Sequence, residues 1–172
     1  MTKLTAAPVS AAVTAPAINV PLFDLKRQQQ RLHARIGERL DPVRGLPGLP
    51  LVLANPGIGL GTAEVFRALD PERQPVARPP FPPHPSLTRF AVWLHESRNE
   101  LEPAARRLAP VIGDVLERLR REPDCLVARM SGSGATCFGL FADEESAEAA
   151  AARIAREEPG WWCRAATAPG GP

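Results

Sequence analysis

The amino-acid sequence predicts an α+β fold in which helices cover one face of an antiparallel sheet. Three observations lead to this expectation. Stretches of helical periodicity alternate with short apolar runs, two of those runs flank a glycine-rich turn, and the order shows no regular strand–helix–strand rhythm. The 172 residues are enough for one domain with its own apolar core.

The first predicted strand covers residues 49–54, an apolar run of strand length that ends before a proline–glycine pair. A helix is expected to begin near Thr62, because threonine is a good N-cap. Phe66 and Leu69 would form the apolar stripe of this helix.

A proline-rich stretch follows. Residues 71–85 contain seven prolines, which remove backbone donors and restrict the residues before them, so an extended loop is predicted. A surface connector is the simpler interpretation, and a docking site for a proline-binding partner is the alternative.

Two helical regions come next. Ser86 is expected to cap a helix that continues to about Ser97. Its buried face would comprise Leu87, Phe90, Ala91 and Leu94. Asn99 is expected to begin a second helix, with Glu102 as its capping-box partner. Pro110 interrupts the apolar face of that helix, so a kink or two abutting helices are predicted.

A hairpin and a helix–strand pair complete the predicted fold. The β-like residues 126–130 and 135–141 flank the turn, which consists of residues 131–134. Asp143 is expected to cap the next helix, and residues 161–168 form the last strand. The apolar stripe of that helix would comprise Ala147, Ala150, Ala151 and Ile154.

Composition argues against several classes of protein. The net charge of +2 is too small to favour a nucleic-acid or membrane-surface partner, and no apolar run approaches the roughly 20 residues that cross a bilayer. The widely spaced cysteines indicate neither a disulfide framework nor a zinc site, so we expect reduced thiols in a cytoplasmic protein. These cysteines are Cys125, Cys137 and Cys163.

Two short segments could contact a ligand. Backbone N–H groups in the turn of residues 131–134 could approach an anion, although a tight turn needs glycine in any case. Thr62 could donate a hydrogen bond to a polar ligand, and Phe66 could stack on a ring. Taken alone, Thr62 as a helix cap and Phe66 as a core residue are simpler interpretations. The acids and histidines form no catalytic constellation and no metal-ligand spacing.

Four segments taken together resemble the 4-diphosphocytidyl-2-C-methyl-D-erythritol kinases of the GHMP superfamily. In order they are PLVLANPGIGLGTAEVFRALD, RNELEPAARRLAPVIGDVLERL, ARMSGSGATCFGLF and PGWWCRAATA. The resemblance covers about residues 37–168 and corresponds to the carboxy-terminal part of those kinases. It implies the ferredoxin-like sandwich of a GHMP kinase C-terminal domain.

The resemblance also implies an activity and its residues. In the non-mevalonate route to isoprenoid precursors, such kinases transfer the γ-phosphoryl group of ATP, with Mg²⁺, to the 2-hydroxyl of their cytidine diphosphate-linked substrate. Thr62 and Phe66 match positions that line the pocket for the cytosine ring. The residues that match the support of the nucleotide phosphate loop are Ser131, Gly132, Ser133 and Gly134.

The sequence departs from the family in its first part. The family's phosphate loop, catalytic aspartate and lysine have no counterpart here, so neither a catalytic residue nor a bound cofactor is assigned to this chain. Residues 18–35 instead resemble the start of pyridoxal-phosphate-dependent sugar aminotransferases, without the lysine that holds the cofactor. We therefore expect a fused or truncated kinase that is inactive alone. The alternative is a non-catalytic domain with residual ligand binding.

The predicted organisation has four parts. Residues 1–17 form a disordered tail, residues 18–36 a helical extension, residues 37–168 the kinase-like domain, and residues 169–172 a short tail. A sheet face that the family's other half covers would be exposed, which would promote self-association.

Overall fold

The computed structural model describes residues 45–70, 72 and 77–171. The predicted tail of residues 1–17 and the helical extension of residues 18–36 lie outside this part of the chain. Within the described residues, no helix has both the length and the apolar character needed to span a membrane.

A four-stranded sheet forms the centre of the domain. Its strands are β1 (Leu49–Asn55), β2 (Cys125–Met130), β3 (Cys137–Phe141) and β4 (Trp162–Ala168). The spatial order is β2-β3-β1-β4, and every neighbouring pair is antiparallel.

Helices connect these strands. They are α1 (Thr62–Arg67), α2 (Leu87–Glu96), α3 (Glu102–Leu108), α4 (Val111–Arg120) and α5 (Glu144–Glu157). With α1 to α4 between β1 and β2, and α5 between β3 and β4, the order is that of a split βαβ sandwich. The predicted α+β class and its ferredoxin-like topology are confirmed.

The main core lies between one face of the sheet and the helices α4 and α5. Val52 and Ala54 point to this face from the central strand β1 and are fully buried. Opposite them, α4 contributes Ile112, Val115, Leu116 and Leu119, and α5 contributes Ala147, Ala150, Ala151 and Ile154. The stripe predicted for α5 is therefore confirmed residue by residue.

Helix α2 covers part of the other sheet face. Its buried residues Phe90 and Ala91 pack with Val127 and Leu140, which point away from the main core because successive strand residues alternate between faces. Phe81 adds an edge contact to the Trp93 ring, with centroids 5.1 Å apart. Self-association through a sheet face that the family's other half would cover stays a prediction.

Two of the four predicted N-caps are confirmed. The Ser86 hydroxyl accepts a hydrogen bond from the Arg89 N–H at 3.3 Å. The Asp143 carboxylate accepts one from the Ser146 N–H at 2.7 Å. Hydrogen bonds from the backbone and the side chain of Ser146 lower the pKa of Asp143. Pro110 separates α3 from α4, so the prediction of two abutting helices is also correct.

The other two predicted N-caps are wrong, although α1 does begin at Thr62 as predicted. Gly61, not Thr62, is the N-cap of α1. Helix α3 begins at Glu102 after Leu101, so Asn99 is not its N-cap. The Thr62 hydroxyl contacts Ser133 in the distant glycine-rich turn. The Asn99 side chain accepts from the Leu101 N–H and also donates to that turn.

Candidate functional site

The glycine-rich turn between β2 and β3 is closed by its own backbone. The Ser131 N–H donates to the Thr136 carbonyl, and the Gly134 N–H donates to the Ser131 carbonyl, both at 2.9 Å. Gly132 and Gly134 have φ angles of 56° and 86°, which favour glycine. A Cβ at Gly134 would lie 2.8 Å from the Met130 sulfur, whereas one at Gly132 would meet open space. Gly132 is therefore the position at which a ligand can approach the backbone.

Three side chains from other parts of the fold bind this turn. From the end of β1, the Asn55 amide donates to the Thr136 hydroxyl at 2.9 Å. From the start of α1, the Thr62 hydroxyl lies 2.9 Å from the Ser133 hydroxyl. From the connection between α2 and α3, the Asn99 amide donates to the Gly132 carbonyl at 2.9 Å.

The two asparagines are functional candidates that sequence reasoning missed. The oxygen of each amide accepts a local N–H, from Gly57 for Asn55 and from Leu101 for Asn99. The amide nitrogens are thereby directed to the turn, and that of Asn99 also donates to the Met130 carbonyl at 3.1 Å. Local sequence contains no signal for such contacts, since Asn55 and Thr136 are 81 positions apart.

Helix α1 presents Thr62 and Phe66 on the same side, because residues four apart are neighbours on a helix. Val65 lies on the side of α1 that packs on the core, and it is fully buried. Phe66 is 56% exposed, so its interpretation as a core residue is wrong. Thr62 and Ser133, both named from the sequence, are in contact, and Phe66 follows one helical turn later.

This arrangement provides hydroxyl groups, open backbone and an aromatic ring. Burial raises the pKa of Cys137 to about 12 and the pKa of Cys125 and of Cys163 to about 11, so these free thiols stay protonated at neutral pH. Among the described residues, no group of three or more His, Cys, Asp or Glu side chains could hold a metal ion. The site can thus bind and orient a ligand.

Residues 84–159 match the family model of the GHMP kinases C terminal. That range includes the glycine-rich turn, both of its strands, and Asn99. The chain carries a GHMP kinase C-terminal domain.

Relatives of this GHMP kinase domain share one name. The chain is 51% identical over 127 residues to the 4-diphosphocytidyl-2-C-methyl-D-erythritol kinase of Dinoroseobacter shibae, covering 74% of this chain and 44% of that one. It is 47% identical over 156 residues to the enzyme of that name in Cereibacter sphaeroides, covering 90% and 55%. The chain therefore spans about half the length of the curated relatives it matches.

A solved structure agrees with these matches. The crystal structure of a 4-(cytidine 5'-diphospho)-2C-methyl-D-erythritol kinase superposes with a TM-score of 0.58 at 33% sequence identity. The match covers 79% of this chain and 48% of that one. The GHMP kinase C-terminal fold and the similarity in sequence thus point to the same group of proteins.

Proposed function

We propose that this chain provides the C-terminal, substrate-side domain of an ATP-dependent kinase that phosphorylates the 2-hydroxyl of 4-diphosphocytidyl-2-C-methyl-D-erythritol. The observation that supports this most directly is the 2.9 Å contact between the Thr62 and Ser133 hydroxyls. It joins the helix proposed to contact the cytosine ring to the turn proposed to lie beside the phosphates. The free thiols and the names of the relatives support a cytoplasmic enzyme of isoprenoid precursor synthesis.

Phe66 is proposed to stack on the cytosine ring. An aromatic side chain that is 56% exposed contributes little to the core, and its face is open to a planar partner. Stacking of a base on an aromatic ring contributes about 1–3 kcal/mol. Thr62 would orient the same ligand, because its hydroxyl stands one turn before Phe66 and is positioned by Ser133.

The turn is proposed to help position a phosphate. Phosphoryl transfer depends on alignment and on stabilisation of charge on the transferred group. Gly132 allows close approach of the backbone, and the contacts from Asn55, Thr62 and Asn99 limit its movement. The backbone N–H groups of the turn would thus be aligned before the ligand binds.

ATP and Mg²⁺ would supply the phosphoryl group and neutralise its charge when bound. The described residues do not by themselves fit a magnesium site, since they contain no group of three suitable side chains. The sequence also contains no counterpart of the family's phosphate loop.

We infer that the chain alone does not catalyse the reaction, because alignment of the nucleotide accounts for most of the rate in such enzymes. Purified chain with ATP, Mg²⁺ and the diphosphocytidyl substrate should release no ADP above a blank. Steady ADP release well above the blank would contradict this inference.

The binding role is tested by calorimetry with cytidine and CMP. Phe66→Ala should weaken binding of both by about tenfold, the equivalent of about 1.4 kcal/mol. Val92→Ala is the matched control, because Val92 is an apolar residue on α2 that is 51% exposed. No binding of either ligand at millimolar concentration would overturn the cytidine site and favour the alternative, a non-catalytic domain.

A further inference from the structure

A second concave surface lies along the outer strand of the sheet. It has a volume of about 1020 Å³ and runs between β2, α3 and the end of α2. Among the described residues that line it, Glu102 is the one acid, and five are arginines. The arginines are Arg98, Arg106, Arg107, Arg120 and Arg129. We call this surface the arginine cleft.

The arginine cleft is distinct from the candidate site. Its lining includes neither Thr62 nor Phe66 and none of residues 131–134. Asn99 lies between the two, because it lines the cleft and donates to the Gly132 carbonyl at 2.9 Å. The cleft therefore needs an explanation of its own.

Two of the arginines have structural contacts that leave their charge in place. Arg107 donates to the carbonyl of Ala68, the C-cap of α1, at 2.5 Å. Arg129 donates to the carbonyls of Leu94 and Ser97 at the end of α2. Carbonyl acceptors satisfy hydrogen bonds but carry no full negative charge, so both guanidinium groups still contribute +1 to the cleft.

Of the other three arginines, Arg98 and Arg120 add to the positive charge of the cleft, whereas Arg106 does not. Arg106 lies 3.7 Å from Glu102 and is balanced by it. Arg98 and Arg120 are exposed at the cleft. Burial, and to a smaller degree the nearby charge of Arg78, lower the pKa of Arg129. Positive charges that converge on a concave surface concentrate the potential there and attract anions.

The floor of the arginine cleft is the open edge of β2. The Ala128 carbonyl on this strand accepts a hydrogen bond from the Arg120 guanidinium at 3.5 Å. Leu126 is 38% exposed on the same strand. A cationic rim above a partly apolar floor suits a molecule with an anionic group and an organic part.

We propose that the arginine cleft binds a small organic molecule that carries a diphosphate group. Guanidinium groups bind phosphate oxygens in pairs, which favours arginine over lysine at such sites. Several cations around one cleft favour two linked phosphates over one. The volume of about 1020 Å³ is close to that of small-molecule sites.

Inorganic pyrophosphate tests the anionic group alone. Calorimetry of the full chain at low salt should show one binding event, which weakens as salt screens the charges. Arg98→Gln with Arg120→Gln should weaken binding by about tenfold or more. The matched control is Arg89→Gln with Arg164→Gln, which removes the same charge from exposed positions outside the cleft. Its affinity for pyrophosphate should stay within about twofold of that of the unchanged protein.

Two outcomes would overturn the proposal: no binding of pyrophosphate at millimolar concentration, or equal weakening in both double variants. If the cleft variant does not fold, Leu126→Trp narrows the cleft without a change of charge and should also weaken binding. Phe66→Ala should leave pyrophosphate affinity unchanged, so the result is independent of the proposed cytidine site.

Discussion

The side-chain amide of Asn99 donates to the backbone carbonyl of Gly132 at 2.9 Å, across 33 positions of sequence. The connection between α2 and α3 thereby stabilises a turn that belongs to a different part of the fold. Since Thr62 contacts the neighbouring Ser133, the turn is restrained from two sides. Its geometry depends on residues outside the hairpin.

Asn99→Asp should loosen this turn. The variant keeps the oxygen that accepts from the Leu101 N–H but replaces the donor that faces the Met130 and Gly132 carbonyls. We expect a loss of about 1–3 kcal/mol in the free energy of unfolding. Hydrogen exchange should accelerate at the Gly134 amide while the β1–β4 ladder stays protected. Unchanged exchange at Gly134 would show that the contact is dispensable.

Glu122→Gln should destabilise the domain more than the loss of an exposed ion pair would. The Glu122 side chain is 2% exposed and lies 2.5 Å from Arg118 and 2.6 Å from Arg153. Removal of its charge leaves Arg153 without its carboxylate partner and Arg118 with Glu157 alone, at a cost of about 3 kcal/mol. Urea unfolding measures the effect. Glu117→Gln is the control, because the exposed Glu117 pairs with Arg121 and should change stability by less than about 1 kcal/mol.

Alanine substitutions at the two glycines of the turn should differ in severity. At Gly132 the Cβ meets open space, so only the positive φ matters, at about 1–2 kcal/mol. At Gly134 the Cβ would also crowd the Met130 sulfur and Ile112, which raises the cost to about 2–4 kcal/mol. Thermal unfolding compares the variants, and equal losses would contradict the packing at Gly134.

The stability of the domain should fall at alkaline pH because of its thiols. Burial raises the pKa of the three cysteines from 9.0 to about 11 or 12, so the folded state keeps protons that the unfolded state releases. The contribution of these thiols to the free energy of unfolding is complete below pH 9 and is lost as pH rises towards 12. The chain contains no tyrosine, which removes one competing titration. Urea midpoints at pH 8 and pH 10.5 should differ, and Cys137→Ala should reduce that difference.

The parts of the fold that the sequence predicted depend on local chemistry. Asp143 caps α5 because its carboxylate reaches an N–H three residues ahead, and Pro110 separates two helices because it lacks an N–H. Strand pairing around residues 131–134 follows from glycine flanked by apolar runs. These signals operate within a few residues, so sequence patterns reveal them.

The missed features depend on distant partners. Thr62 and Asn99 are of residue types that often cap helices, yet their side chains bind a turn more than 30 positions away. Phe66 has the spacing of a core residue, but Val65 occupies the core instead. The periodicity of α2 identifies its buried residues without telling which sheet face they cover. These contacts and this burial arise only when distant parts of the chain come together in the folded domain.

The pairing of β1 with β4 has a consequence for synthesis of the protein. Leu49 lies opposite Ala168, so a central strand of the sheet pairs with the last strand of the domain. During translation β1 leaves the ribosome long before β4, and its edge remains unpaired in the interval. Such non-local pairing slows folding and exposes a strand to other chains. The domain should therefore depend on chaperones until its last strand has emerged.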